Sequence, residues 1–323
     1  MKPRVLFFIL VTLVSLPSCL KEELPVESPV PGDIITQSIS MGTDYRWQIY
    51  FDLGTNSVVG QNLKCTWDLA FQCDGDKVFL NSAKFMFIRN TQQQDFSAVT
   101  DTSGFHQNRS WDEPSGHPDS TAIGNWFDNT PVYIIDRGYD HLGNHLGFRK
   151  IRILNVSPAS YVIRFAHLDG SGDTTITLQK DPQFNFTFFT FDNGGTPVQV
   201  EPPKDTWDLV FTQYTHIFYD ETPVAPYLVV GCLINNWETT AAFEPFLDFS
   251  EIDYSDLSAL TLTNARNRIG YDWKVFEDNT FTTLPEFNYI IRDAEGFYFK
   301  LHFIDFYNNN GEKGHPQFEF QQL

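Results

Sequence analysis

The sequence predicts an all-β protein, an antiparallel sandwich or open barrel built from two related units, with few short helices. Three observations carry this. Aromatic residues are abundant, with 31 phenylalanines and 13 tyrosines, and such side chains fit a pleated, half-buried surface. Apolar and polar residues alternate in short runs separated by turn residues. Thr66-Trp67-Asp68-Leu69 recurs unchanged as Thr206-Trp207-Asp208-Leu209, and a period this long indicates duplicated units, not a solenoid.

The amino terminus comes first in chain order. Lys2 and Arg4 precede an apolar run from Val5 to Leu16, followed by Pro17, Ser18 and Cys19. The run is too short for a span of about 20 residues, and its order is that of a cleaved signal covering residues 1–18. Cys19 closes a lipobox-like sequence, so it is the expected lipidation site; an ordinary secretory signal with an incidental cysteine is the alternative. An acyl chain would tie the protein to the outer membrane without spanning it. Leu20-Lys21-Glu22-Glu23 resembles an export tag for the outer face of that membrane. Residues 19–40 carry Pro25, Pro29 and Pro31 among polar residues and read as a lipid-anchored, extended tether.

The first unit is expected over residues 41–182 and the second over 183–323. Phe51-Asp52 stands before Trp67 as Phe191-Asp192 stands before Trp207. Ile123-Gly124-Asn125-Trp126 answers Ile269-Gly270-Tyr271-Asp272-Trp273, and Tyr133-Ile134-Ile135 answers Tyr289-Ile290-Ile291. Alternation marks strands in residues 151–154, 161–166, 174–178 and 297–304, with turns at Asp74-Gly75, Asp169-Gly170, Asn193-Gly194, Glu295-Gly296 and Asn310-Gly311. Helical periodicity is weak everywhere and best over residues 248–267. Long polar connections run over residues 91–129 and 235–283, and connections of that length in a compact domain are functional or disordered.

Charge narrows the partners. The chain carries a net −19, and a mature chain without Lys2 and Arg4 carries −21. That balance excludes nucleic acid, whose phosphates need clustered Lys and Arg. Cys65, Cys73 and Cys232 are an odd set with no zinc spacing; Cys65 and Cys73 could pair across a turn, and all three read as structural. No Gly-x-Ser-x-Gly, His-Glu-x-x-His or phosphate-binding loop occurs, so an enzyme is not expected.

The combined signature resembles the HmuY-like family of Bacteroidetes lipoproteins. It runs through Phe51-Asp52, Thr66-Trp67-Asp68-Leu69-Ala70-Phe71, Ile269-Gly270-Tyr271-Asp272-Trp273-Lys274, Tyr289-Ile290-Ile291-Arg292 and the stretch from Tyr298 to Pro316. The resemblance implies an all-β, surface-attached protein that binds haem, takes it from host haemoproteins and passes it to a TonB-dependent outer-membrane receptor. It also implies iron held between two histidines on loops of the second half. Here the stretch from Thr212 to Thr283 holds His216, no other histidine and no methionine.

Haem iron takes a neutral imidazole or a thioether. The candidate haem-binding residues are therefore His106 and His117, in the first long connection near Trp111 and Trp126, and His216 in a strand. Each also reads as an ordinary loop or strand histidine. No metal is expected beyond haem iron: the glycines around His141 and His145 argue a hairpin loop, not a helical pair. His167, His302, His315 and Met86 read as framework, as do Trp67, Trp126, Trp207 and Trp273, because they recur while the connections differ. Asp68 and Asp208 are expected to bond at strand ends. The alternative function is a non-haem interaction module that binds a glycan or a protein at the cell surface.

Overall fold

A computed structural model describes residues 30–323. The signal over residues 1–18, Cys19 and the tether up to residue 29 lie outside the described residues. The expected tether does not extend to residue 40. The alternating Ile35-Thr36-Gln37-Ser38 pairs with the last strand of the chain, and Ile39 is buried.

The strands in chain order are β1 (Ile35–Ser38), β2 (Trp47–Asp52), β3 (Ser57–Leu63), β4 (Leu69–Gln72), β5 (Val78–Leu80), β6 (Phe87–Asn90), β7 (Tyr133–Asp136), β8 (Phe148–Val156), β9 (Ser160–Ala166) and β10 (Thr174–Gln179). They continue as β11 (Phe186–Thr190), β12 (Thr196–Val198), β13 (Leu209–Phe218), β14 (Ala225–Ile234), β15 (Thr240–Glu244), β16 (Lys274–Glu277), β17 (Thr280–Thr283), β18 (Asn288–Arg292), β19 (Tyr298–Tyr307) and β20 (Lys313–Gln322). Among the described residues, the one α-helix is α1 (Phe105–Asn108), beside short 3-10 turns. The weak periodicity over residues 248–267 yields a 3-10 turn, Tyr254–Ala259, closed by an Asp253/Asp256 capping box. No described helix is long and apolar enough to cross a membrane.

Four antiparallel sheets form successive layers, with the β16–β17 hairpin beside them, and none is a closed barrel. Sheet I is β1-β20-β19-β18-β15, sheet II is β14-β13-β2-β3, sheet III is β12-β11-β4-β5 and sheet IV is β10-β9-β8-β7-β6. The period-2 alternation of side chains explains the layering. In β13, Leu209 and Phe211 join a core shared with sheet I, while Val210 and Tyr214 join one shared with sheet III. In β4, Leu69 and Phe71 face sheet IV and Ala70 faces sheet II. The two inner sheets are therefore buried on both faces, which is why their strands read as nearly continuous apolar runs.

The repeats exchange hairpins. β2 and β3 join β13, and β11 joins β4, so each inner sheet takes one hairpin from each side of residue 182. The repeated aspartates pin this exchange. Asp68 accepts from Phe191 N at 2.8 Å and Thr190 Oγ1 at 3.2 Å, and Asp208 accepts from Leu53 N at 2.9 Å. Asn81 donates to Trp67 O at 2.8 Å and Asn235 to Trp207 O at 3.0 Å, which fixes the turn behind each motif. Trp67 and Trp207 are buried between sheets II and III, packed edge-on against Phe188 and Tyr50. The motif is framework, as its recurrence implied.

The long connections cover the outer faces. Phe96, Val99 and Phe105 pack on sheet IV, and Ile252, Leu257 and Leu260 pack on sheet I. One buried lysine fastens each: Lys150 Nζ donates to Phe96 O (3.0 Å) and Val99 O (2.8 Å), and Lys300 Nζ to Phe249 O (2.7 Å) and Ile252 O (2.8 Å).

Candidate functional site

A cavity of about 750 Å³ lies at the exposed end of sheet II, within the roughly 300–1,000 Å³ range of small-molecule sites. Its wall takes Tyr227 to Val230 of β14, Gln213 and Phe218 of β13, and Tyr271, Asp272, Lys274, Val275, Phe276 and Phe281 from the 271–283 segment, with Tyr45 and Lys313 also lining it. Glycine geometry shapes one side. A Cβ on Gly231 would meet Gly270 O at 2.3 Å, so glycine alone lets that segment lie against β14. The approach is fixed by paired bonds of 2.9 Å between Cys232 and Gly270. Past this turn, Trp273 stacks on Phe303 at 3.9 Å, burying the start of the β16–β17 hairpin.

Lys274 is buried in that wall. Its Nζ donates to Val230 O at 2.6 Å and stands 3.9 Å from the Trp273 ring centre and 5.0 Å from that of Phe306. Burial pushes its amine down to about 7, against the smaller pull of Asp272 and Cys232. Burial first, and then Asp272, pushes the Tyr271 phenol up to about 12.

His216 does not line the cavity itself but packs against two residues that do. Its ring packs edge-on against Phe218 and Tyr271, each 4.9 Å away, and both line the wall. Its Nδ1 is buried with no hydrogen-bond partner. Burial lowers its pKa, so the imidazole is held neutral, the form that ligates iron. A second cavity of about 450 Å³ shares Gln213, Tyr227 and Leu228 with the first and adds Lys64, Phe85, Tyr139 and His141. The half-buried Cys65 Sγ lies 3.7 Å from His141 Nδ1 there.

The other two candidate histidines are elsewhere. His106 is exposed on α1, with its ring edge toward Phe105. His117 is exposed and accepts from Asp119 N through Nδ1 at 3.3 Å; it lines a cleft of about 350 Å³ with Ser115, Asp119, Asn236, Trp237 and Asn264. Neither lines the large cavity. Framework roles fit the remaining histidines. His302 stacks on Phe249 at 4.0 Å and contacts Pro285 O at 2.8 Å, and His145 Nε2 bonds Asp136 at 2.7 Å. Met86 is core. Cys65, Cys73 and Cys232 are free thiols, so the possible Cys65–Cys73 bridge is not formed. β4 separates that pair, with Cys65 on its Trp67 side and Cys73 reaching Thr187 at 3.6 Å. Among the described residues, no three His, Cys, Asp or Glu side chains converge as a metal site.

Of the residues at or beside this cavity, the sequence singled out His216 but not Lys274 or Tyr271. One signal was available: Lys274 follows the second framework tryptophan where Phe127 follows the first.

A family model described as HmuY protein matches residues 44–320. Among solved structures, the apo HmuY analogue of Tannerella forsythia is 9% identical, covering 92% of this chain and 99% of its own, with a TM-score of 0.34. Apo PinO from Porphyromonas gingivitis is 10% identical, covering 90% and 98%, with a TM-score of 0.32. A Bacteroides vulgatus protein described as HmuY-like and haem-binding is 14% identical, covering 52% and 95%, with a TM-score of 0.23. No curated protein matches the chain.

Proposed function

The chain belongs to the HmuY family, and from that premise we propose that it binds haem in the 750 Å³ cavity beside His216. The observation that carries the reading is the neutral, edge-packed imidazole of His216, whose buried Nδ1 has no partner, next to an aromatic-walled cavity of suitable size. These residues fit the group. Haem bound there would supply an iron that an imidazole nitrogen can ligate, and His216 would be the residue to hold it. The chain's own part is to keep His216 neutral by burial, to hold its ring between Phe218 and Tyr271, and to exclude water with Phe276, Phe281 and Val229.

The wider role we propose is that of an outer-membrane, surface-exposed lipoprotein, anchored through Cys19, that accepts haem from host haemoproteins and passes it to a TonB-dependent receptor. The open position of the cavity at a sheet end supports exchange with a partner. Titration of the full chain with haemin tests the binding step, and a saturable shift of the Soret band that His216→Ala abolishes is expected. Absence of any saturable shift, in ferric and ferrous form, removes the reading. Metabolic labelling with palmitate, lost in Cys19→Ala, tests the anchor.

A second reading, a non-haem module for a glycan or protein, draws on the cleft of His117, Asp119, Asn264 and the partly exposed Trp237. Saturable glycan binding without haemin binding would favour it.

A further inference from the structure

Lys274 is a buried cation that the haem reading does not itself require. Among the other buried lysines, Lys150 and Lys300 each close at least two carbonyls of a covering loop, Lys84 pairs with Asp68, and Lys64 donates to Gln213 Oε1. Lys274 donates to one, Val230 O. An ammonium has three donors, and no carboxylate bonds this one among the described residues. Its setting is apolar, against Trp273, Phe281 and Phe306. A desolvated cation with one neutral acceptor is under-compensated, and the side chain lines a cavity large enough for an organic ligand. Asp272 lines the same cavity but makes no ion pair with the amine, so a ligand carboxylate can supply the close partner that the wall does not.

We propose that Lys274 is the carboxylate anchor of the cavity, so that the site selects a flat apolar acid over its ester and fixes the ligand with an acid group against β14. This rests on the reading that the cavity is the ligand site. Lys313 lines the same cavity as a solvent-facing second cation.

Proton uptake follows. The groups around the amine are Asp272 on its own segment and Cys232 on β14, both favouring the ammonium, with Tyr271, Tyr45 and Lys313 on the surrounding wall. The free amine titrates near 7, and a bound carboxylate holds the proton on. Above that pH each binding event takes up a proton, so affinity for the acid falls by up to about tenfold per pH unit while affinity for the ester does not.

The test compares haemin, haemin dimethyl ester and metal-free protoporphyrin IX on the full chain, read by quenching of tryptophan fluorescence. Lys274→Met is expected to weaken both acids by about 10–100-fold and to leave the ester within about twofold, as the loss of one charge-assisted bond would. Unchanged acid binding, or equal loss for acid and ester, overturns the anchor. If Lys274→Met binds nothing, Lys274→Arg decides: it must retain the preference for acid over ester, and loss of that preference overturns the proposal. Binding of protoporphyrin IX that Lys274→Met weakens about 10–100-fold, without any haemin Soret shift, removes the haem reading and leaves the anchor standing. No binding of any of the three by the wild type overturns both.

Discussion

Asparagine at the repeated motif aspartate is expected to act in opposite directions in the two repeats. Asp68 is completely buried and shared by Lys84 and Arg137, with Arg137 Nε at 3.1 Å and Nη2 at 3.0 Å. Burial raises the Asp68 pKa, but the two cations outweigh it and hold the carboxyl below its ordinary value. Asp68→Asn leaves Lys84 buried without its anion and Arg137 with only the exposed Asp192, at a cost of about 3–5 kcal/mol. Asp208 occupies the matching place with no cation. Its acceptors are met by Leu53 N, Thr239 Oγ1 and Ala294 N, and the residue that follows the second Tyr-Ile-Ile run at the position of Arg137 is Asp293. Burial, reinforced by Asp293 and Asp52, pushes Asp208 from 3.8 up to about 7. A carboxyl raised on folding binds its proton more tightly in the native state. Its stabilising contribution is therefore complete below about pH 4 and is lost as pH rises through about 7. At about 1.36 kcal/mol per pH unit, the penalty on the ionised form has a ceiling of about 4 kcal/mol. An amide at 208 keeps an acceptor oxygen and removes that penalty. Urea unfolding followed by tryptophan fluorescence at about pH 5 and about pH 8 reads both variants. Asp68→Asn should lower the midpoint at both pH values. Asp208→Asn should stay near wild type at the lower pH and exceed it at the higher. A Asp208→Asn midpoint at the higher pH that falls as far as that of Asp68→Asn would refute the reasoning, since it would mean that Asp208 is an ionised, paired group.

Other outcomes follow from the same geometry. Lys300→Met should speed amide exchange around Phe249 to Ile252, and Lys150→Met around Phe96 to Val99, while sheet cores stay protected; unchanged exchange would contradict their role as loop fasteners. Of Cys65, Cys73 and Cys232, only Cys65 should react with a thiol reagent in the native state, because the other two are buried and burial pushes their thiols up. His106→Ala and His117→Ala should leave the haemin titration unaltered, since neither residue lines the large cavity or, unlike His216, packs against its aromatic wall; a loss of binding in either would relocate the site.

Much of the framework was legible in the chain. The recurrence of Trp67 and Trp207 marked core positions because a residue kept while its neighbouring loops change serves packing, and both lie between the inner sheets. Strand alternation located β8, β9, β10 and β19. The exchange of hairpins was not legible: β2 pairs with β13 across more than 150 positions, and local alternation says which face is buried but not which strand lies beside it. Nor was the entry of Ile35 to Ser38 into sheet I, because the prolines upstream made the whole segment read as solvated. The candidate site was legible only as a choice among histidines. His216 could be singled out as a chemical type, but the cavity draws on Tyr45, β13, β14, the 271–281 segment and Lys313, and only the fold brings these together. Lys274 carried a lone positive charge in an apolar context, a pattern that alternation alone treats as a solvated face.

The central claim is that one haem binds in the cavity beside His216. Spectrophotometric titration of wild type and Leu228→Trp with haemin tests it most directly, because Leu228 lines the cavity and a larger side chain there fills ligand space without touching His106 or His117. A saturable Soret shift at one haem per chain is expected in the wild type and its loss in Leu228→Trp, with thermal unfolding unchanged. Equal haemin binding by the two proteins would contradict it.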